Sequence, residues 1–192
     1  MRRIVVTEFM SLDGVFEAPG PDGSGYKHEG WTMSYGNDEF MKFKTEELMA
    51  ADAQLLGRTT YDAFAIAWPK QNGDEFGKKF NSMKKYVVSK TLKKASWENS
   101  HIIKGNIAKE IAKLKEEKGK DIIVYGSGQL VKFLLELELV DEIRLLVYPV
   151  ILGEGKRLFK DSYAKLKLIE STPFKTGIAA LRYEPILSQT SQ

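Results

Sequence analysis

The 192-residue chain contains no cysteine. Disulfides, thiol nucleophiles and thiolate metal sites are excluded at once. Histidine is almost absent as well: His28 and His101 stand far apart, without ligand spacing, so no metal site is expected. There is no long apolar run. The N-terminal segment RIVVTEF is broken by Thr7 and Glu8, too soon for a signal peptide or a membrane span. Charge of one sign is lacking too, with 29 Lys and Arg against 26 Asp and Glu and a net charge of +3. The densest basic stretch, Lys78 to Lys94, is interrupted by Phe80, Met83, Tyr86 and Val88, so no nucleic-acid footprint is expected. These absences fit a cytoplasmic protein that binds neither membrane nor nucleic acid.

Familiar fingerprints are missing in the same way. GSGQL at 126–130 is not G-x-G-x-x-G, because Val131 stands where the third glycine would. GEGKR at 153–157 ends like a P-loop but lacks its first glycine and its Ser or Thr, and reads as a basic loop. No G-x-S-x-G occurs, so a hydrolase triad has no support.

What is present is a core-forming composition, 43% hydrophobic, in one domain spanning 1–192. The tail 186–192, ending SQTSQ, is expected to fray. Residues 3–9 read as a buried strand. Residues 14–30 form a Gly- and Pro-rich loop of the length used for lids, with 17–25 as its mobile part. Asn37 caps a helix that opens on Asp38 and Glu39. Residues 53–57 read as a strand. The helix after it is expected to be capped by Thr59, with Asp62 completing a capping box, and stopped by Pro69. Residues 85–89 and 101–104 read as strands, and Asn106 caps an amphipathic helix ended by Gly119. Strand 121–125 runs straight into a glycine turn and a helix reaching Leu139. The strand at 141–152 carries Pro149, which suggests an edge or a bulge. Residues 165–171 and 177–185 form an antiparallel pair. Alternating strands and helices, then strands alone, imply an α/β fold with a mostly parallel sheet extended by antiparallel C-terminal strands.

Three turns concentrate the chemistry: Gly57-Arg58-Thr59-Thr60, Ser89-Lys90-Thr91 and Gly126-Ser127-Gly128-Gln129. Each follows a strand. In open α/β sheets ligands bind beyond the carboxyl ends of strands, and turns rich in Gly, Ser, Thr and cations suit a polyphosphate. Each turn taken alone also has a plain reading as turn glycine, cap or solvated cation.

The order of motifs is more telling than any one of them. SLDG at 11–14, LLGRTTYDAF, VVSKT, IIVYGSGQL and VDEIRLLVYPVILGEGKRLF follow one another in a pattern that resembles the dihydrofolate reductase superfamily. It is most similar to the reductase domain of riboflavin biosynthesis and its stand-alone relatives. The resemblance implies a three-layer, dihydrofolate-reductase-like fold and an NADPH site. It places Gly57, Arg58, Thr59 and Thr60 on the cofactor phosphates, with Arg58 toward the 2′-phosphate. Ser89 and Lys90 fall beside the adenosine ribose, and Gly126, Ser127, Gly128, Gln129 and Leu130 on the pyrophosphate. In relatives the first peptide of that glycine turn can be cis, here Gly126–Ser127. Leu12 is expected against the nicotinamide. Ser11, Phe16, Trp31 and Tyr35 are expected at a flat heterocyclic substrate, with Asp13 and Asp38 as candidate catalytic carboxylates. No acid matches the pterin-binding carboxylate cleanly, since its place falls near Met41. The implied substrate is therefore a heterocycle or a ribosylaminopyrimidine phosphate, with Lys156 and Arg157 as candidate phosphate partners. Folate reduction, or NADPH or nucleotide binding without turnover, are the alternatives. A homodimer built on strand 143–152 and the terminal hairpin is also implied.

Overall fold

The computed structural model describes residues 1–187. Residues 188–192 of the tail expected to fray lie outside the described part, whereas Ile186 pairs with Lys165 and closes the last strand.

Six strands share one direction. β1 (Ile4–Ser11), β2 (Ala51–Gly57), β3 (Lys84–Val88), β4 (Ser100–Ile103) and β5 (Asp121–Tyr125) are mutually parallel, and β6 (Glu142–Tyr148) runs parallel to β1. β8 (Ala179–Ile186) returns antiparallel to β6, and β7 (Lys165–Pro173) pairs antiparallel with β8 at the edge. The order across the eight-stranded sheet is β4-β3-β2-β5-β1-β6-β8-β7. β1, central and apolar, has fully buried Ile4, Val5 and Val6 as its start.

Helices cover both faces. α4 (Ile107–Glu116) and α5 (Gly128–Glu136) pack Ile111, Leu114, Leu130, Val131 and Leu134 against Ile4, Val6, Leu55 and Val124. On the other face α1 (Asp38–Met49), α2 (Arg58–Ala67) and α3 (Glu75–Ser82) bring Leu48, Tyr61 and Phe80 onto Leu56, Val87 and Ile123. Neighbouring strand residues such as Leu55 and Leu56 thus serve opposite layers, as the period of two requires. No described helix is long and apolar enough to cross a membrane.

Several expectations change. The strand expected at 141–152 stops at Tyr148, and Pro149, which cannot donate to a ladder, ends it. β6 lies inside the sheet rather than at its edge. The helix expected to reach Leu139 ends at Glu136, and the helix expected to end at Gly119 ends at Glu116. α3, which the sequence reading does not anticipate, overlaps the start of the basic stretch, and Asp74 caps it by accepting from Gly77 N.

α1, α3 and α4 carry Asx caps: Asn37 accepts from Phe40 N at 2.8 Å, Asp74 from Gly77 N at 2.7 Å and Asn106 from Lys109 N at 3.1 Å. Replacing any one with alanine is expected to lower stability by about 1 kcal/mol, read from urea unfolding.

Candidate functional site at the carboxyl edge of the sheet

The carboxyl ends of β1, β2, β3 and β5 all open onto one edge, and the three chemistry-bearing turns lie there. α2 and α5 start at this edge without a side-chain cap. Thr59, expected to cap α2, is exposed within its first turn, and Gly57 holds the cap position. Asp62 pairs with Arg58 Nε at 2.6 Å instead of completing a capping box.

Ser127 explains the bare start of α5. Its hydroxyl accepts from Gly57 N at 2.9 Å and donates to Tyr125 O at 2.9 Å, so it is turned away from its own helix. Its N–H donates to Thr60 Oγ1 at 2.9 Å. These bonds lash the β5 turn to the β2 turn and set two helix starts side by side. The N–H groups of a first turn, unmet by a cap, carry partial positive charge toward any anion placed there. The turn is made by two consecutive left-handed residues, Gly126 at φ 53° and Ser127 at φ 58°, with trans peptides. The cis peptide suggested by the resemblance is not needed, because two left-handed residues reverse the chain.

Glycine is required by space as well as by φ. A Cβ on Gly126 would stand 2.9 Å from Thr60 Oγ1, and one on Gly128 2.6 Å from Phe16 Cζ. Phe16 thus packs on the first residue of α5. Gln129 is exposed beside it, and the Leu130 side chain belongs to the core. At the end of β3, Ser89 is buried and accepts from Leu92 N at 3.0 Å, while Lys90 is exposed.

The segment after β1 is clasped to the segment after β6. Asp13 accepts from Ser11 Oγ at 2.7 Å, Leu152 N at 3.1 Å and Gly153 N at 2.9 Å. These bonds, that of Ser11 foremost, hold its carboxyl down to about 2. Asp13 is therefore an ionised clip rather than a proton donor near neutrality. Ser11, fully buried, is spent on Asp13 and on Val15 N. Lys156 and Arg157, considered for a substrate phosphate, are engaged here: Lys156 pairs with Glu17, and Arg157 Nη2 lies 3.5 Å from Asp13 Oδ2. Leu12 is exposed and donates its N–H to Val150 O at 2.8 Å.

Trp31 and Tyr35 stack edge-on against buried Tyr148, with centroids at 5.2 and 5.4 Å, in a satellite core that also takes Phe9 and Phe40. Phe16 sits apart from them on Gly128, so the structure does not bring the three aromatics into one platform. Asp38 is exposed in a groove between α1 and the β7–β8 turn, beside Glu39 and Lys175, remote from Asp13 in the hydrogen-bond network. Among the described residues no cluster of three or more His, Asp or Glu could hold a metal.

Sequence reasoning passed over Glu8. It is the first β1 residue beyond the β1–β5 ladder, which ends at Thr7↔Tyr125, and it is buried. A charged residue inside an otherwise apolar central strand was the available signal.

Sheet order and carboxyl-edge turns together define a dihydrofolate-reductase-like α/β protein. Within that class the chain belongs to the RibD C-terminal domain family, whose model matches residues 2–180. The uncharacterized protein YyaP of Bacillus subtilis (strain 168) is 36% identical over 188 residues, covering 95% of this chain and 94% of that protein. A Shewanella sp. PV-4 protein, provisionally named for riboflavin biosynthesis, has a crystal structure that superposes with a TM-score of 0.74 at 21% identity. That match covers 96% of this chain and 99% of the other. Dihydrofolate reductase from Enterococcus faecalis, complexed with NADP(H), superposes with a TM-score of 0.63 at 14% identity, covering 95% and 96%.

Proposed function

We propose that the protein is an NADPH-dependent reductase acting on a small heterocycle or a ribosylaminopyrimidine, of the 5-amino-6-(5-phosphoribosylamino)uracil class. The observation that carries this reading is the pair of uncapped helix starts, α2 and α5, lashed together by Ser127 while the other three α-helices are capped. Such a cradle fits a pyrophosphate, and the glycines at 126 and 128 leave the backbone bare where a Cβ would intrude. Membership of the RibD C-terminal domain family supports the same reading.

NADPH, when bound, supplies the hydride. The chain's own residues bind, orient and shield. The first-turn amides of α2 and α5 would take the pyrophosphate, and Ser89 and Lys90 would flank the adenosine ribose. Arg58, its guanidinium oriented by Asp62, would meet the 2′-phosphate with Lys90 assisting. Leu12 would offer an apolar surface to the nicotinamide and Phe16 would exclude water from the α5 start. A folate substrate is disfavoured, because Asp38 is exposed in a separate groove. We place the protein in the cytoplasm and propose a homodimer. Since β6 is interior, its surface would be the β7 edge, where Leu168 and Ile169 are exposed. A monomer in light scattering would remove the dimer.

The test is fluorescence titration with NADPH and NADH, with Arg58→Ala alongside. A charge-assisted contact of about 1.5–3 kcal/mol corresponds to roughly 10- to 100-fold in affinity. The variant is expected to lose that factor for NADPH and to leave NADH nearly unchanged. Equal losses for both would remove Arg58 from the 2′-phosphate. Binding of neither by the parent protein would overturn the reductase reading.

A further inference from the structure

Glu8 is a buried carboxyl for which neither the fold nor the clasp has a use. Only 5% of the residue is exposed, and Oε1 has no hydrogen-bond partner. The Gly126 N–H, in the glycine turn itself, reaches the carboxyl. Its place in the sheet is specific. β1 and β5 pair from Ile4↔Ile122 to Thr7↔Tyr125 and then part, while β1 stays paired with β6 as far as Ser11↔Tyr148. Glu8 occupies the first step of the gap between two parallel strands, beside the turn that precedes α5. An orphaned oxygen there is a group kept for a ligand, because a buried polar atom left unpaired is costly.

We propose that Glu8 Oε1 holds a proton in the resting site and surrenders it when the site holds the oxidised, positively charged nicotinamide. This rests on the NADPH reading above. Burial keeps the Glu8 carboxyl well above the ordinary glutamate range, opposed by the Gly126 N–H and by Lys44, with Glu47 acting in the same sense as burial. The charged neighbours come from one side. α1 contributes Lys44 and Glu47, themselves paired and tied to Thr7 Oγ1, and Arg144 of β6 lies 3.6 Å from Glu47 Oε2. β5 contributes the phenol of Tyr125, neutral below its raised pKa. The first turn of α5 contributes no acid, and Phe16 of the β1 loop contributes only an apolar ring. A single positive charge introduced into this gap meets no other carboxyl of β1 or of the first turn of α5; on α1, Glu47 Oε2 also lacks a hydrogen bond but lies 3.6 Å from Arg144 Nη1.

The balance is one proton. Binding NADP⁺ would expel the Oε1 proton to water, leaving a carboxylate to offset the ring charge. Binding NADPH, whose ring is neutral, would leave the proton in place. Reduction of a C=N or C=O bond by hydride requires one proton at the heteroatom, and the Glu8 carboxyl, buried beside the glycine turn, would hold one.

The experiment is the ratio of NADP⁺ to NADPH affinity from pH 5.5 to 9, which cancels the titration of the shared 2′-phosphate. In the parent protein the ratio is expected to rise with pH, by about tenfold per unit at its steepest, and to level off above the Glu8 pKa. Glu8→Gln keeps the shape and an acceptor for Gly126 N–H, and its ratio is expected to be flat. Calorimetry of the parent protein in two buffers of different ionisation enthalpy needs no variant. It should count close to one proton released with NADP⁺ beyond that seen with NADPH. Tight NADPH binding with a flat ratio, or with equal proton counts, overturns the role of Glu8 and leaves the reductase reading standing. A sloped ratio that survives in a folded Glu8→Gln overturns it as well. Failure of both nucleotides to bind overturns the reductase reading and this proposal with it.

Discussion

Glu142→Ala is expected to lower the free energy of unfolding by about 3–5 kcal/mol, the cost of removing one partner from a buried ion-pair network. Glu142 is 3% exposed in β6, and three arginines converge on it. Arg144 Nε donates at 2.6 Å, Arg182 Nε at 2.9 Å and Arg3 Nη1 at 3.0 Å. Arg3 and Arg182 keep other partners in Asp121 and Glu170. Arg144 is buried, and without Glu142 its remaining carboxylate is Glu47, 3.6 Å away. Burial pushes the Glu142 carboxyl up, but the hydrogen bonds and charges of Arg182 and Arg144 outweigh it and hold the pKa below the ordinary glutamate value. The sign follows. Stability from Glu142 is complete above the unfolded pKa and drains away as pH falls through the lower folded value. Asp13, held to about 2, keeps its contribution until the pH approaches that value. Urea unfolding of the variant near pH 7 and pH 3 checks both statements. The deficit should shrink at the lower pH, and a deficit below about 1 kcal/mol near pH 7 would mean that water replaces the carboxylate.

Gly126→Val is expected to damage both stability and nucleotide binding. A left-handed φ costs an L-residue about 1–2 kcal/mol and a β-branched one more, and the lost Ser127 N–H···Thr60 bond adds about 1. The Cβ would stand 2.9 Å from Thr60 Oγ1, so Thr60 and the Ser127 amide cannot both keep their places. A loss of about 2–3 kcal/mol in unfolding, with at least roughly tenfold weaker NADPH binding, is the expected result. Gly126→Ala should lie between parent and Val on both scales. Unchanged NADPH binding in a folded Gly126→Val would detach the glycine turn from the cofactor.

Much of the fold was legible because its signals are local. Asn37 and Asn106 stand where caps must, and apolar strands followed by glycine turns mark parallel units. Thr59 is misleading because a hydroxyl near a helix start reads as a cap in sequence, whereas here Gly57 holds the cap position without a side chain and Ser127 serves two strands at once. α3 was missed because its lysines were weighed as charge, while Phe76 and Phe80 gave it an apolar side. Pairing across the chain was illegible in principle. That Lys156 answers Glu17 and Arg157 answers Asp13 depends on a loop meeting another about 140 residues away, and nothing in either segment names its partner.

The position of β1 carries a consequence for how the chain is made. It leaves the ribosome before every other described strand, yet its neighbours β5 and β6 begin at Asp121 and Glu142. Until those arrive, Ile4, Val5 and Val6 have no strand to join and their apolar surface stays open to water or to a stray chain. β2, β3 and β4 are each within reach of one another and can assemble earlier. The cleft that holds Glu8 and the glycine turn cannot exist until β5 and the start of α5 are docked on β1, and β8 and β7 extend the sheet later still. Nascent chains stopped before Asp121 would lack it altogether, and β1 would be the segment that holdase chaperones meet.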